Sequence, residues 1–229
     1  MTRIEELAAN LAAVEERVCA ACAAAGRGRS EVTVVAVSKT WPAADIARLR
    51  DLGVVDFGEN RDGEAAQKAA EVDGVRWHFV GAVQTNKARS VAAYADVVHS
   101  VDRQALVDAL GRGAVRAGLV VDVLVQVSLD GDPARAGAPA NDVPALADAV
   151  EATDGLRLAG VMAVAPLGED PAAVFGRVAG VFDGMRRQHP GAVMLSAGMS
   201  ADLEQAVAAG ANCLRVGTAL FGPRAPLSR

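Results

Sequence analysis

The sequence predicts one closed (β/α)8 barrel, an α/β fold, with an extra helix ahead of the first strand. Three observations carry this expectation. Short β-branched runs alternate eight times with Ala-rich amphipathic stretches, the pattern of a parallel sheet wrapped by helices. Several runs are almost continuously apolar, as in Val32, Val34, Val35, Ala36 and Val37, which suits strands buried on both faces. No linker-like tract divides the 229 residues, and the last strand is followed only by residues 219–229, which favours closure over an open doubly wound sheet. Residues 1–229 are therefore read as a single domain.

A long helix, from Arg3 to about Ala25, comes first. The expected strands are 32–38, 54–58, 76–81, 97–101, 121–128, 157–164, 192–197 and 213–217. The expected helices between them are 43–52, 62–71, 85–95, 103–117, 141–152, 171–189 and 201–209. Gly53, Gly118 and Gly210 each fall where a helix stops before a strand, the position where a left-handed residue closes the last turn. Pro42 and Pro171 fall near helix starts, where a missing N–H costs little. The stretch 130–141, rich in Gly, Pro and Ala, is expected to be mobile.

Composition narrows the function. Hydrophobic residues make up 52% and aromatics only 3%, so the core is aliphatic. A net charge of −5 disfavours non-specific nucleic-acid binding, which needs clustered cations. No apolar run approaches the roughly 20 residues that span a bilayer. The early acids Glu5 and Glu6 do not fit a signal peptide, so a cytoplasmic protein is expected. Three cysteines are too few and too odd in number for a disulfide framework, and Cys19-x-x-Cys22 sits inside an Ala-rich helix, where packing explains it. His78, His99 and His189 form no metal-binding pattern.

In such barrels the active face is the C-terminal end of the strands, and the unusual polar residues fall there. The first strand ends in Ser38-Lys39-Thr40 and the second in Gly58-Glu59-Asn60. The third carries His78 and ends at Gly81, with Gln84, Asn86 and Lys87 beyond. The seventh ends in Ser196 and runs on to Met199 and Ser200; the eighth contains Arg215 and ends in Gly217-Thr218. Desolvation at the mouth of an apolar barrel disfavours an ammonium ion, leaving more neutral Lys39 amine to attack an aldehyde. The alternative is a lysine that snorkels to the rim or pairs with Glu59. Ser200 reads as the N-cap of a helix whose free N–H groups attract an anion, and Gly217 with Thr218 adds close backbone approach and a hydroxyl. A routine cap and turn is the alternative. Arg215 inside a strand needs an acceptor, either a carboxylate such as Asp202 or Glu59 or a ligand atom. His78 taken alone reads as a satisfied core histidine.

Read together, these motifs point further. They are Ala36-Val37-Ser38-Lys39-Thr40, Phe57-Gly58-Glu59-Asn60, Trp77-His78-Phe79-Val80-Gly81 with Gln84, Asn86 and Lys87, Gly160-Val161-Met162, Leu195 to Ser200 with Asp202, and Arg215-Val216-Gly217-Thr218 with Leu220-Phe221-Gly222. Six motifs in this order resemble the pyridoxal-phosphate homeostasis (YggS/PROSC) family over nearly the whole chain. The resemblance implies a barrel of the alanine racemase N-terminal type with pyridoxal 5′-phosphate as cofactor. It implies that Lys39 carries the cofactor as a Schiff base. Ser200, Gly217 and Thr218 would hold the phosphate, Arg215 would face the pyridine nitrogen, and Asn60, His78 and Met199 would line the ring. An arginine there disfavours ring protonation, which weakens the cofactor as an electron sink. Arg61 stands where the family has an aromatic residue, Val83 for Leu, Ala197 for Met and Arg135 for Lys; these departures touch the rim and not the lysine or the phosphate cradle.

The resemblance implies a carrier or buffer in vitamin B6 homeostasis without established catalysis, with apo-enzymes as recipients; a monomer is expected because the racemases' second domain is lacking. The alternative is an amino-acid racemase, which needs an acid/base group on each face of the substrate. Tyr94 is the only tyrosine, is expected on the helix after the third strand, and is not at the rim. A third reading is a phosphate-binding barrel in which Lys39 is only a charge partner.

Overall fold

The computed structural model describes residues 1–129, 131, 136–166 and 168–223. The first helix, α1 (Arg3–Ala24), starts at a capping box: Thr2 N–H donates to Glu5 at 2.7 Å and Glu5 N–H returns to the Thr2 hydroxyl at 3.4 Å. Its buried stripe, Leu7, Val14, Val18 and Cys22, has helical spacing and faces the barrel. Arg17 fixes the helix by a two-pronged pair with Glu204, at 2.8 and 3.0 Å.

Eight parallel strands follow: β1 (Thr33–Val37), β2 (Asp56–Glu59), β3 (Arg76–Phe79), β4 (Val97–Val101), β5 (Val121–Ser128), β7 (Leu156–Met162), β8 (Met194–Ser196) and β9 (Cys213–Val216). The pairing runs β1-β2-β3-β4-β5-β7-β8-β9, and β9 returns to β1 through Thr33↔Cys213 to Ala36↔Val216, so the sheet closes. The expected barrel is therefore the observed one, with strand ends shifted by one or two residues. A two-residue strand, β6 (Ala138–Pro139), pairs with the end of β5 outside this circuit.

The helices are α2 (Ala43–Asp51), α3 (Asp62–Glu71), α4 (Ala88–Val91), α5 (Gln104–Ala117), α6 (Val143–Glu151), α7 (Pro171–Arg186), α8 (Leu203–Ala208) and α9 (Thr218–Phe221). Gly118 ends α5 in the left-handed conformation, φ +69°, as its place in the sequence suggests. Two expectations need correction. The helix expected over 85–95 is a 3-10 turn at 85–87 followed by the single turn α4. The chain leaves the helical path there because Asp96 must reach the base of β3, where its carboxylate accepts the Trp77 N–H at 2.7 Å. The short helix α9, read from sequence as part of a tail, packs against α1 with Thr218 at the barrel mouth. Of the stretch expected to be mobile, Asp130 and residues 132–135, Arg135 among them, lie outside the described residues.

Most of the hydrophobic core lies between strands and helices. The barrel interior is divided. Val97, Leu124 and Met162 form an apolar cluster on one side, while His78, His99, Ser196 and Arg215 fill the other, each nearly or fully buried. No helix among the described residues is long and apolar enough to cross a membrane.

Candidate functional site

A cavity of about 360 Å3 opens at the C-terminal mouth of the barrel, within the roughly 300–1,000 Å3 of small-molecule sites. It is lined by Lys39, Trp41, Asn60, Met199, Ser200, Arg215, Gly217 and Thr218, with Val37, Val80 and Val164 as apolar wall. Seven of the eight residues expected at the site meet there. His78 does not. Val80, two residues further along and on the same side of the chain, reaches the cavity, while His78 lies one layer deeper and is bonded to other side chains.

The wall is shaped by close backbone passages. A Cβ on Gly81 would lie 2.3 Å from the Asn60 carbonyl oxygen, so only glycine lets the end of β3 press against the segment that carries Asn60. A Cβ on Gly217 would stand 3.2 Å from the Val37 carbonyl oxygen, in the narrow gap between β9 and β1. Ser200 is not a helix N-cap. α8 begins later, at Leu203, because Asp202 bends back to accept the Met199 N–H at 2.6 Å. The Ser200 hydroxyl instead accepts the Ala219 N–H at 3.3 Å, tying the loop after β8 to the first turn of α9. Ser200, on the loop after β8, and Thr218, at the start of α9, are thus held beside each other.

Arg215 also departs from expectation. Its acceptors are neutral: the Ser196 hydroxyl at 2.6 Å and the Ala163 carbonyl at 2.8 Å. Burial pushes its guanidinium below its ordinary value, only partly offset by Cys213 and Asp202. Asp202 is spent on its own loop. Glu59 is engaged by Lys68 Nζ at 2.7 Å and by the Ser38 hydroxyl at 2.6 Å, and burial pushes its carboxyl up against their pull.

Beneath Arg215 the polar half of the barrel forms one chain. Ser196 contacts His99 Nδ1 at 2.9 Å, His99 Nε2 contacts His78 Nδ1 at 2.8 Å, and His78 Nε2 contacts Asp56 at 2.8 Å. β4 and β8 are not neighbours in the sheet, so the His99–Ser196 contact crosses the interior. Arginine can only donate and an ionised carboxylate only accept. With both rings neutral, each carries its proton on Nε2 and the Ser196 hydroxyl donates to His99. Burial and the nearby cations push His99 well below its ordinary value, so it is neutral.

Sequence reasoning missed Trp41 and His99. Trp41 has the inward parity of Val37 and Lys39, a usable signal. His99 sits mid-strand among valines, which reads as core.

Eight parallel strands with an amine, a guanidinium and two hydroxyls around one mouth define a barrel with a cavity of small-molecule size. The family profile described as alanine racemase, N-terminal domain, matches residues 9–225. The pyridoxal phosphate homeostasis protein of Mycobacterium bovis is 43% identical, over 97% of this chain and 94% of its own. That of Escherichia coli K12 is 37% identical, over 96% and 98%. Among solved structures, PipY of Synechococcus elongatus PCC7942 with PLP bound is 35% identical with a TM-score of 0.82, over 94% of this chain and all of PipY. Alanine racemase of Clostridium difficile, at 13% identity and a TM-score of 0.74, shares the fold and is matched over 58% of its length. The chain belongs to the pyridoxal phosphate homeostasis protein family, on the barrel of the alanine racemase N-terminal domain.

Proposed function

We propose that the protein binds pyridoxal 5′-phosphate in the mouth cavity, anchors it as a Schiff base on Lys39, and serves intracellular pyridoxal phosphate homeostasis as a carrier or buffer. The observation that carries this reading is the meeting of Lys39, Arg215, Ser200 and Thr218 around one cavity. The residues fit the group. Ser200, Thr218 and the backbone at Gly217 would hold the phosphate, and Val37, Val80, Val164 and Met199 offer apolar walls for a ring beside Asn60. When bound, the cofactor supplies an aldehyde for the amine and a ring that can withdraw electrons. Arg215 would limit the second capacity, because a buried cation opposes a second positive charge on the ring.

Racemisation is the less favoured reading. The one tyrosine, Tyr94, donates to Asp62 at 3.4 Å away from the cavity, and burial with Asp62 raises its phenol. The curated relatives are matched over 94% and 98% of their own length, which supports a single barrel over residues 1–229 as the working unit. A monomer that hands the cofactor to apo-enzymes is part of the same proposal, as is a cytoplasmic setting, in keeping with free cysteines at 19, 22 and 213.

The test is a cofactor titration with a racemisation assay alongside. The double variant Ser200→Ala/Thr218→Val removes charge-assisted bonds worth roughly 1.5–3 kcal/mol each, so affinity is expected to fall at least tenfold. Unchanged affinity would refute the phosphate assignment. Racemisation by the loaded protein would refute the carrier reading.

A further inference from the structure

Lys39 stands in a turn that its own sequence disfavours. The Trp41 N–H donates to the Ser38 carbonyl at 2.9 Å, closing a four-residue turn with Lys39 and Thr40 at its centre. Thr40 has φ +70°, the one positive φ among the described non-glycine residues. It occupies the third position of a type II turn, where glycine or asparagine is usual and a β-branched residue is strained. Such a conformation persists only when its surroundings over-determine it.

Those surroundings lie behind the turn, outside the cavity. Lys68 on α3, 7% exposed in its side chain, donates to the Ser38 carbonyl at 3.0 Å, to Glu59 at 2.7 Å and to Glu64 at 2.5 Å. The same Glu64 oxygen accepts the Thr40 N–H at 2.6 Å. The carbonyl before Lys39 and the amide after it are thus each held by a charged side chain. A buried ion pair by itself is weak evidence for stability; here two of its bonds end on the backbone that flanks one lysine.

We infer that Glu64 and Lys68 are positioning residues for Lys39. They hold Thr40 left-handed, so the amine is presented to the cavity with no rearrangement of the turn on binding. The inference rests on reading Lys39 as the anchoring amine. It separates the work of the turn from the work of the cavity, because neither Glu64 nor Lys68 lines the cavity.

The experiment compares wild type, Glu64→Ala and Glu64→Ala/Thr40→Gly. One readout is Trp41 amide hydrogen exchange without cofactor. The other is the rate at which pyridoxal phosphate becomes borohydride-reducible on the protein. Glu64 is a quarter exposed on a helix, and its removal leaves the Lys68–Glu59 pair in place. Glu64→Ala is expected to speed Trp41 exchange and to slow attachment about tenfold. Adding Thr40→Gly, which adopts φ +70° without steric strain, is expected to restore both. Unchanged exchange in Glu64→Ala overturns the inference. So does a slow variant that Thr40→Gly fails to restore, since the loss would then be electrostatic. Lys68→Met/Glu59→Met removes both buried charges together and is expected to give the same defect and the same rescue. If wild type does not attach the cofactor at Lys39, the reading beneath the inference falls, while the Trp41 exchange still decides whether the clamp exists.

Discussion

Asp56 and Arg215 stand at opposite ends of a hydrogen-bonded file that fills half the barrel, and with both rings neutral the file admits one proton arrangement. Nitrogen-15 spectra of the histidines are expected to show both His78 and His99 protonated at Nε2. A proton on Nδ1 of either ring would contradict the arrangement. Because burial lowers His99, the unfolded chain binds a proton below the ordinary histidine value of 6.5 that the folded chain refuses. Stability is therefore full above that value and is lost as pH falls through it. One such proton costs about 1.4 kcal/mol between about pH 7.5 and about pH 5.5. Urea midpoints at the two pH values check this, and His99→Gln should shrink the difference. At this scale the sequence shows which side of the barrel wall a residue faces but not its depth. Lys39 and Arg215 were legible because a polar residue within or just beyond an apolar strand must find a partner. His78, read from the residues alone as a satisfied core histidine, is one; its place at the ring was implied by the resemblance, and Val80, which shares its parity, reaches the cavity in its stead. Ser200 was mistaken for a cap because the competing bond from Met199 to Asp202 is a loop property that no residue type announces.

Strands and helices were read from periodicity with ends shifted by one to three residues, since apolar alternation marks the buried middle of an element and not its frayed ends. Where the reading failed, a single long-range bond had overridden local preference, as Asp96 does after α4. α9 escaped notice because four residues carry too little periodicity to signal a helix. Gly160 is the element-scale residue of most consequence. A Cβ there would lie 1.7 Å from the Met194 carbonyl oxygen, at the Gly160↔Met194 pair that joins β7 to β8. No side chain can move out of the way, so Gly160→Ala is expected to destabilise the barrel by about 3 kcal/mol. A urea midpoint indistinguishable from wild type would show that the two strands are not so closely paired.

Closure of the barrel has a chemical readout. Cys22 and Cys213 are buried and Cys19 is exposed, and burial pushes the Cys213 thiol up to about 11. Ellman's reagent is expected to find one reactive thiol in the native protein and three after denaturation; a reactive Cys213 would mean that the interior is open. The fold class was legible at this scale because eight repeats of one pattern outweigh errors in any of them, whereas the mouth depends on a loop bonded to a separate helix, as Ser200 is to Ala219 of α9. The sequence contains three lysines, and the structure sets them apart. Lys68 is buried against Glu59 and Glu64, Lys87 is exposed near Asp62, and Lys39 lines the cavity. Borohydride reduction of the protein saturated with pyridoxal phosphate, followed by peptide mass mapping, therefore separates the candidates cleanly. A single adduct on the peptide containing Lys39, absent from a folded Lys39→Ala variant, is the expected result. An adduct on Lys68 or Lys87, or none at saturation, would contradict the assignment of Lys39 as the cofactor's anchor.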